Sequence, residues 1–164
     1  MSVYIGIDPG ATGAIAKVST EGWAEVEKMP KFDVEFGWHL ANLIPSSFTT
    51  RKGVIYLEEV HGRGGWGANA NYSFGLASGY VLGGLSAWGI EPVMVTPQKW
   101  QKALDAKPYR GEAQKKRRSK ERVAELYPDA KNYVWSSDAI LIAHYAMLQD
   151  KEREYGSQGE LPLH

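Results

Sequence analysis

Cysteine is absent from the chain of 164 residues. Its absence excludes a disulfide framework, a thiolate zinc site and a cysteine nucleophile. Long hydrophobic runs are also missing, since no apolar stretch reaches the roughly 20 residues that cross a bilayer. The opening MSVYIGIDPG has no basic stretch ahead of an apolar one, so it does not read as a secretory signal. These absences predict a soluble, cytoplasmic protein with no membrane partner. Net charge is lacking too, with 19 Lys and Arg against 19 Asp and Glu. A zero sum argues at first against a polyanion such as DNA. The charges are unevenly placed, however. From Lys99 to Arg122 there are ten basic and three acidic residues, a local charge of +7, and the rest of the chain carries −7.

What is present fits one compact domain. Apolar residues make up 43%, enough for a core, and 12% aromatics argue against disorder. Val3–Asp8, Ala14–Ser19 and Trp23–Glu27 read as strands in a meander, the last two joined by the turn Ser19–Gly22. A helix is predicted over Asp33–Ile44, stopped by Pro45. Val54–Val60 reads as a strand, and His61–Ala70 as a Gly-rich loop. Asn71–Trp88 is a helix and Glu91–Thr96 a strand; Pro97 opens a short helix to Leu104. A basic helix over Ala113–Tyr127 precedes a final helix over Ser136–Glu154, capped by Ser136 or Ser137. Gly156–His164 reads as a loose tail, leaving residues 1–155 as the domain. The alternation predicts an α/β fold: a five-stranded mixed sheet, its first three strands an antiparallel meander, flanked by helices.

Three acids sit where a carboxylate is costly. Asp8 ends an apolar strand, Glu58 follows Val-Ile-Tyr-Leu on another, and Asp138 opens the last helix just before Ala-Ile-Leu-Ile-Ala. Buried carboxylates must be paired, hydrogen-bonded or bound to metal. Each has a plainer explanation: Asp8 as a turn residue, Asp138 as a first-turn acid favoured by the helix dipole. Glu58 and Glu59 face opposite ways on a strand, and alternation leaves open which points inward. Together the three suggest a shared cation, and oxygen ligands favour Mg²⁺ or Mn²⁺.

Gly6-Ile7-Asp8-Pro9-Gly10 with Gly13, Leu57-Glu58-Glu59-Val60, and Asp138-Ala139-Ile140-Leu141-Ile142-Ala143 resemble the signatures of RuvC-like Holliday junction resolvases. The likeness is to the phage and poxvirus branch, whose segment after the last strand is similar to Thr96-Pro97-Gln98-Lys99-Trp100. It implies an RNase H-like fold and a homodimeric, metal-dependent endonuclease that cuts four-way or otherwise branched DNA, acting in a host cytoplasm if phage-encoded. Asp8, Glu58 and Asp138 match the family's catalytic metal ligands, which favours Glu58, with Glu59 as a further candidate. Two ions per site would serve in-line hydrolysis of a phosphodiester, giving 5′-phosphate and 3′-hydroxyl ends. One position departs: the family usually has an acid or a His about one helical turn before the final Asp, and here stand Val134 and Trp135. Ser136, Ser137, Asp129 or a displaced Glu59 are candidates to compensate.

The basic segment reads as a DNA grip, through Lys99, Lys102, Lys107, Arg110, Lys115, Lys116, Arg117, Arg118 and Lys120; a merely solvated helix face is the alternative. In the Gly-rich loop after Glu58, expected to be mobile, Trp66 is placed to stack on an unpaired base and Arg63 to hold phosphate. Folding of Trp66 onto the core is the alternative there. Gly75, Gly79 and Gly83 recur every four residues on one helical stripe, which suits close approach of another backbone. Packing on the sheet would explain the stripe; the resemblance favours a dimer contact. Two other functions stay open. Trp135 at the expected acidic position suits a non-catalytic binder of branched DNA. Asp8–Gly13 also resembles the first phosphate loop of actin and sugar-kinase ATPases, although those need two such domains and this chain has one.

Overall fold

The computed structural model describes residues 1–44, 55–59, 61, 62, 65, 67–108 and 117–158. β1 (Val3–Asp8), β2 (Ala14–Ser19) and β3 (Ala24–Lys28) form an antiparallel meander. β4 (Ile55–Glu58) pairs parallel with β1, and β5 (Val93–Val95) parallel with β4. The result is one five-stranded mixed sheet of order β3-β2-β1-β4-β5, flanked by helices as the sequence predicts.

Alternation sorts the sheet into two faces. Ile5, Ile7, Ile15 and Leu57 are buried on one, in a core shared with Phe36 and Leu40 of α1 (Phe36–Leu43) and Val81 and Leu85 of α2 (Ala68–Ser86). The other face carries Tyr4, Gly6, Asp8, Ala14, Ala16 and Tyr56. It packs against α5 (Ser137–Gln158), which touches β1, β2, β3 and β4. α3 (Pro97–Ala103) and α4 (Arg117–Leu126) pack on α5 in turn.

Several boundaries differ from the sequence reading for local reasons. Asp33 lies ahead of α1, in a turn where its Oδ1 accepts from the Glu35 N–H at 3.0 Å and its carbonyl from the Phe36 N–H at 3.1 Å. This Asx-type turn competes with helix at the position where the helix was expected to begin. α2 takes in Ala68–Ala70, read as loop from its glycine neighbours. α5 continues through Gly156, Ser157 and Gln158, which composition assigns to the tail. Residues 159–164, Val54, Val60 and residues 113–116 of the basic helix lie outside the described residues.

Candidate active site and nucleic-acid interface

The parallel register of β1 and β4 pairs Gly6 with Tyr56 and Ile7 with Leu57, so Asp8 and Glu58 come next, on adjacent strands and one face. Asp8 is 8% exposed, and its Oδ1 accepts from the Gly10 N–H at 3.3 Å. The chain turns tightly there, with the Gly13 N–H donating to the Gly10 carbonyl at 2.8 Å. A Cβ at Gly13 would lie 2.1 Å from the Asp8 carbonyl, so the turn requires glycine. Glu58 is half-buried, and its Oε1 accepts from the indole N–H of fully buried Trp100 at 3.0 Å. Thr96-Pro97 after β5 starts α3, which carries that indole under β4.

α5 supplies the third acid. A Cβ at Gly6 would lie 2.2 Å from the Ala139 carbonyl and 2.3 Å from the Ala143 nitrogen, so helix backbone rests directly on strand backbone. The Tyr4 hydroxyl donates to Asp150 Oδ2 at 2.7 Å. Tyr4 thus meets the later part of α5 and Gly6 its second turn, so the helix runs antiparallel to β1. Its first turn, with Asp138, comes to the end of β1 where Asp8 stands.

That first turn is firmly built. Ser136 and Ser137 are fully buried. Ser136 Oγ accepts from the Tyr133 N–H at 2.8 Å, while Ser137 Oγ lies 2.8 Å from the Tyr133 carbonyl and 3.0 Å from Asn132 Oδ1. These hydroxyls hold the turn directly before Asp138. Asp129 lies away, in a hollow of about 620 Å³ beside β3. Glu59 follows β4 with its Oε1 3.2 Å from His61 Nε2, on the step of alternation opposite Glu58. Carboxylate oxygens from β1, β4 and α5 suit a hard divalent cation in kind, and the backbone brings them to one end of the sheet. Among the described residues, no group of three or more His, Asp or Glu side chains is already placed to hold an ion.

The sequence reading missed Lys28. Ala14 pairs with both Asp8 and Lys28, so one row across the sheet runs Glu58, Asp8, Ala14, Lys28 on the α5 face. Its Nζ lies 5.2 Å from the ring centroid of Trp135, which stacks on Tyr133 at 5.2 Å and 8°. A lysine ending a strand gave no signal until the strand pairings were known.

Of the predicted DNA contacts, Lys99, Lys102, Lys107 and Lys120 are exposed. Arg118 is turned inward. Its guanidinium lies 2.6 Å from Asp105 Oδ2 and donates through Nε to the Asp105 carbonyl at 2.8 Å, with Glu125 and Glu121 at 3.5 and 3.8 Å. Arg122 likewise donates to the Leu104 carbonyl at 2.9 Å and pairs with Glu125. These two arginines tie α4 to the end of α3. Arg117 opens α4; Arg63, Trp66, Arg110, Lys115 and Lys116 lie outside the described residues.

Gly75, Gly79 and Gly83 do not pack on the sheet. They are exposed, and a Cβ on any of them would meet nothing within 4 Å. It is Gly84 that fits against the core, with Leu40 at 2.8 Å from its would-be Cβ. The stripe lines an open hollow of about 660 Å³ with Val34, Leu76 and Tyr80.

Between α4 and α5, the Tyr127 hydroxyl and His144 Nδ1 share a hydrogen bond of 2.7 Å. Burial, reinforced by Arg122 and Lys151, lowers the His144 pKa to about 4, and burial raises that of Tyr127.

The sheet order, the antiparallel meander and the flanking helices define an RNase H-like fold. Solved structures with this fold include the Thermus thermophilus RuvC in complex with a Holliday junction substrate (TM-score 0.58, 19% identity, 92% of this chain and 96% of that one). A second is a Thermus thermophilus RuvC structure (TM-score 0.58, 22% identity, 92% and 97%). No protein-family model matches the chain, and no curated protein matches it in sequence. No described helix is long and apolar enough to cross a membrane.

Proposed function

We propose that this protein is a metal-dependent, structure-selective endodeoxyribonuclease that resolves Holliday junctions and other branched DNA, of the phage and poxvirus type, working as a homodimer in the cytoplasm of a host. The observation that carries the proposal is the meeting of Asp8 and Glu58 on adjacent strands with the first turn of α5, across the Gly6 contact. Support comes from the RuvC-like fold and from the Holliday junction substrate in complex with one of those neighbours.

In this reading Asp8, Glu58 and Asp138 hold Mg²⁺ or Mn²⁺, two ions per site, with Glu59 a further candidate. Bound cations would supply Lewis-acid charge for phosphodiester hydrolysis. Asp8 is pre-oriented by the Gly10 N–H and Glu58 by the Trp100 indole. Lys99, Lys102, Lys107 and Lys120 hold phosphates, with Arg63, Trp66, Arg110, Lys115, Lys116 and Arg117 as further contacts; Arg118 serves α4 instead. The exposed stripe Gly75, Gly79, Gly83 is the dimer contact, beside Leu76 and Tyr72, which are 44% and 69% exposed. A twofold pair would set two sites against symmetric strands of a junction.

The deciding experiment incubates end-labelled four-way junctions with protein and Mg²⁺ or Mn²⁺. Wild type should leave paired nicks with 5′-phosphate ends. Asp8→Asn should lower cleavage at least about 100-fold while junction binding persists. The second reading, a binder without cleavage, is favoured by Trp135 and Val134 standing where the resembled family carries an acid or a His. Binding with no cleavage by wild type in either metal, unchanged in Asp8→Asn, would establish it.

A further inference from the structure

Adjoining exposed apolar side chains on a rigid turn mark a candidate contact surface. Directly ahead of α5, Tyr133 is 48% and Val134 53% exposed. The Tyr133 and Trp135 rings stack nearly parallel, with Lys28 Nζ over the indole. Trp135 is partly buried against the core, whereas the Tyr133 ring lies outside it. The turn that carries them is closed by the Tyr133 backbone and the Asn132, Ser136 and Ser137 side chains. Asn132 is itself anchored, donating from Nδ2 to the Lys120 carbonyl at 2.7 Å. A rigid base thus presents an aromatic surface outward. Lys28 belongs to the row Glu58, Asp8, Ala14, Lys28, two strand spacings or about 10 Å from Asp8. Glu27 points to the opposite face of β3, and it lines a hollow beside Lys28 together with Asp33 and Glu35.

We propose that Tyr133, stacked on Trp135 and flanked by Lys28, is a stacking site for one unpaired DNA base, with Lys28 holding the adjoining phosphate. The inference rests on the proposed nuclease function and adds to it a subsite on the β3 side of the carboxylates. Flat rings accept any base face, and a neighbouring ammonium takes the backbone, which is the chemistry of single-strand recognition. A fully paired duplex has no base to offer. The subsite therefore favours DNA in which pairing is broken near the cut, such as a branch point.

The test is equilibrium binding, in Ca²⁺ to withhold cleavage, of two DNAs of equal length and charge. One is a fully paired duplex; the other carries a short unpaired stretch at its centre. Tyr133→Ala should weaken binding of the second about 5- to 150-fold, the range for one stacked base, and leave the duplex within about twofold. Tyr133→Phe should bind both like wild type. Lys28→Gln should reduce the salt dependence by about one phosphate's worth on the unpaired DNA. If Tyr133→Ala melts below the assay temperature, Tyr133→Leu, which covers Trp135 without a π-face, carries the same expectation. Equal weakening of both DNAs, or of neither, overturns the stacking site alone and leaves the nuclease reading standing. A change of oligomeric state in Tyr133→Ala assigns the rings to a contact between copies and also overturns it. Failure of wild type to bind either DNA overturns this inference together with the nuclease reading.

Discussion

A single missing side chain, that of Gly6, sets how closely the candidate site can assemble. The backbone of α5 lies where a Cβ would be, and neither the Ala139 carbonyl nor the Ala143 amide can step aside without moving the helix. Gly6→Ala should therefore cost about 3 kcal/mol or more, from overpacking against backbone. Thermal unfolding should show it as a melting temperature lowered by about 10 °C. If Asp138 holds a cation as proposed, divalent-ion affinity should fall with the same substitution. The placement of the acids, at two strand ends and in the first turn of a helix, was legible in the sequence as costly ground for a carboxylate. Alternation alone could not choose between Glu58 and Glu59; the register with β1 and the Trp100 indole separate them. Arg118 was misread for a related reason. Its main partner, Asp105, sits in a turn with φ of 51°, where backbone carbonyl and carboxylate together meet the guanidinium. No run of charges in a sequence announces such a pocket.

Among the elements, α2 carries the sharpest contrast between what it contributes alone and what it offers a partner. Glycine in a helix interior costs roughly 1 kcal/mol against alanine, and the open side of Gly79 gives nothing back within one chain. Gly79→Ala should stabilise the isolated protomer by up to about 1 kcal/mol in denaturant unfolding. Gly79→Leu should fill the hollow and shift sedimentation equilibrium toward monomer if the stripe is the dimer contact. The every-fourth-residue spacing was readable from sequence, but only packing could show that Gly84, not the stripe, faces the core. The α4–α5 contact makes a different prediction. His144 in the folded chain has a pKa of about 4 against an ordinary value of 6.5. Between those pH values the unfolded chain takes up a proton that the folded chain declines, so stability falls as pH drops through this window. Below about pH 4 this group adds no further slope. His144→Gln should flatten the melting temperature between pH 7 and 5 relative to wild type.

For the whole molecule, zero net charge hides a basic segment in an otherwise acidic chain. Arg118 and Arg122 are paired with Asp105, Glu121 and Glu125, so the exposed basic charge there rests on Lys99, Lys102, Lys107 and Lys120. Junction affinity should still fall steeply with salt. Charge removal at Lys99, Lys102 or Lys120 should shallow the slope by about one unit for each phosphate no longer neutralised, whereas Arg118→Gln should act on stability instead. The fold was readable in outline because strands ending in turns and alternating with helices leave few arrangements. The row that joins Glu58, Asp8, Ala14 and Lys28 was not, since it arises from pairings between distant parts of the chain. That row also sets an order in time. β1 and β2 can zip from neighbouring sequence, but β4 must find β1 across the whole of β2, β3 and α1, and α5 docks from later still. Such distant contacts close slowly. The backbone positions of Asp8, Glu58 and Asp138 therefore reach one end of the sheet only once these long-range contacts have closed, and a chain whose α5 is still on the ribosome holds them apart.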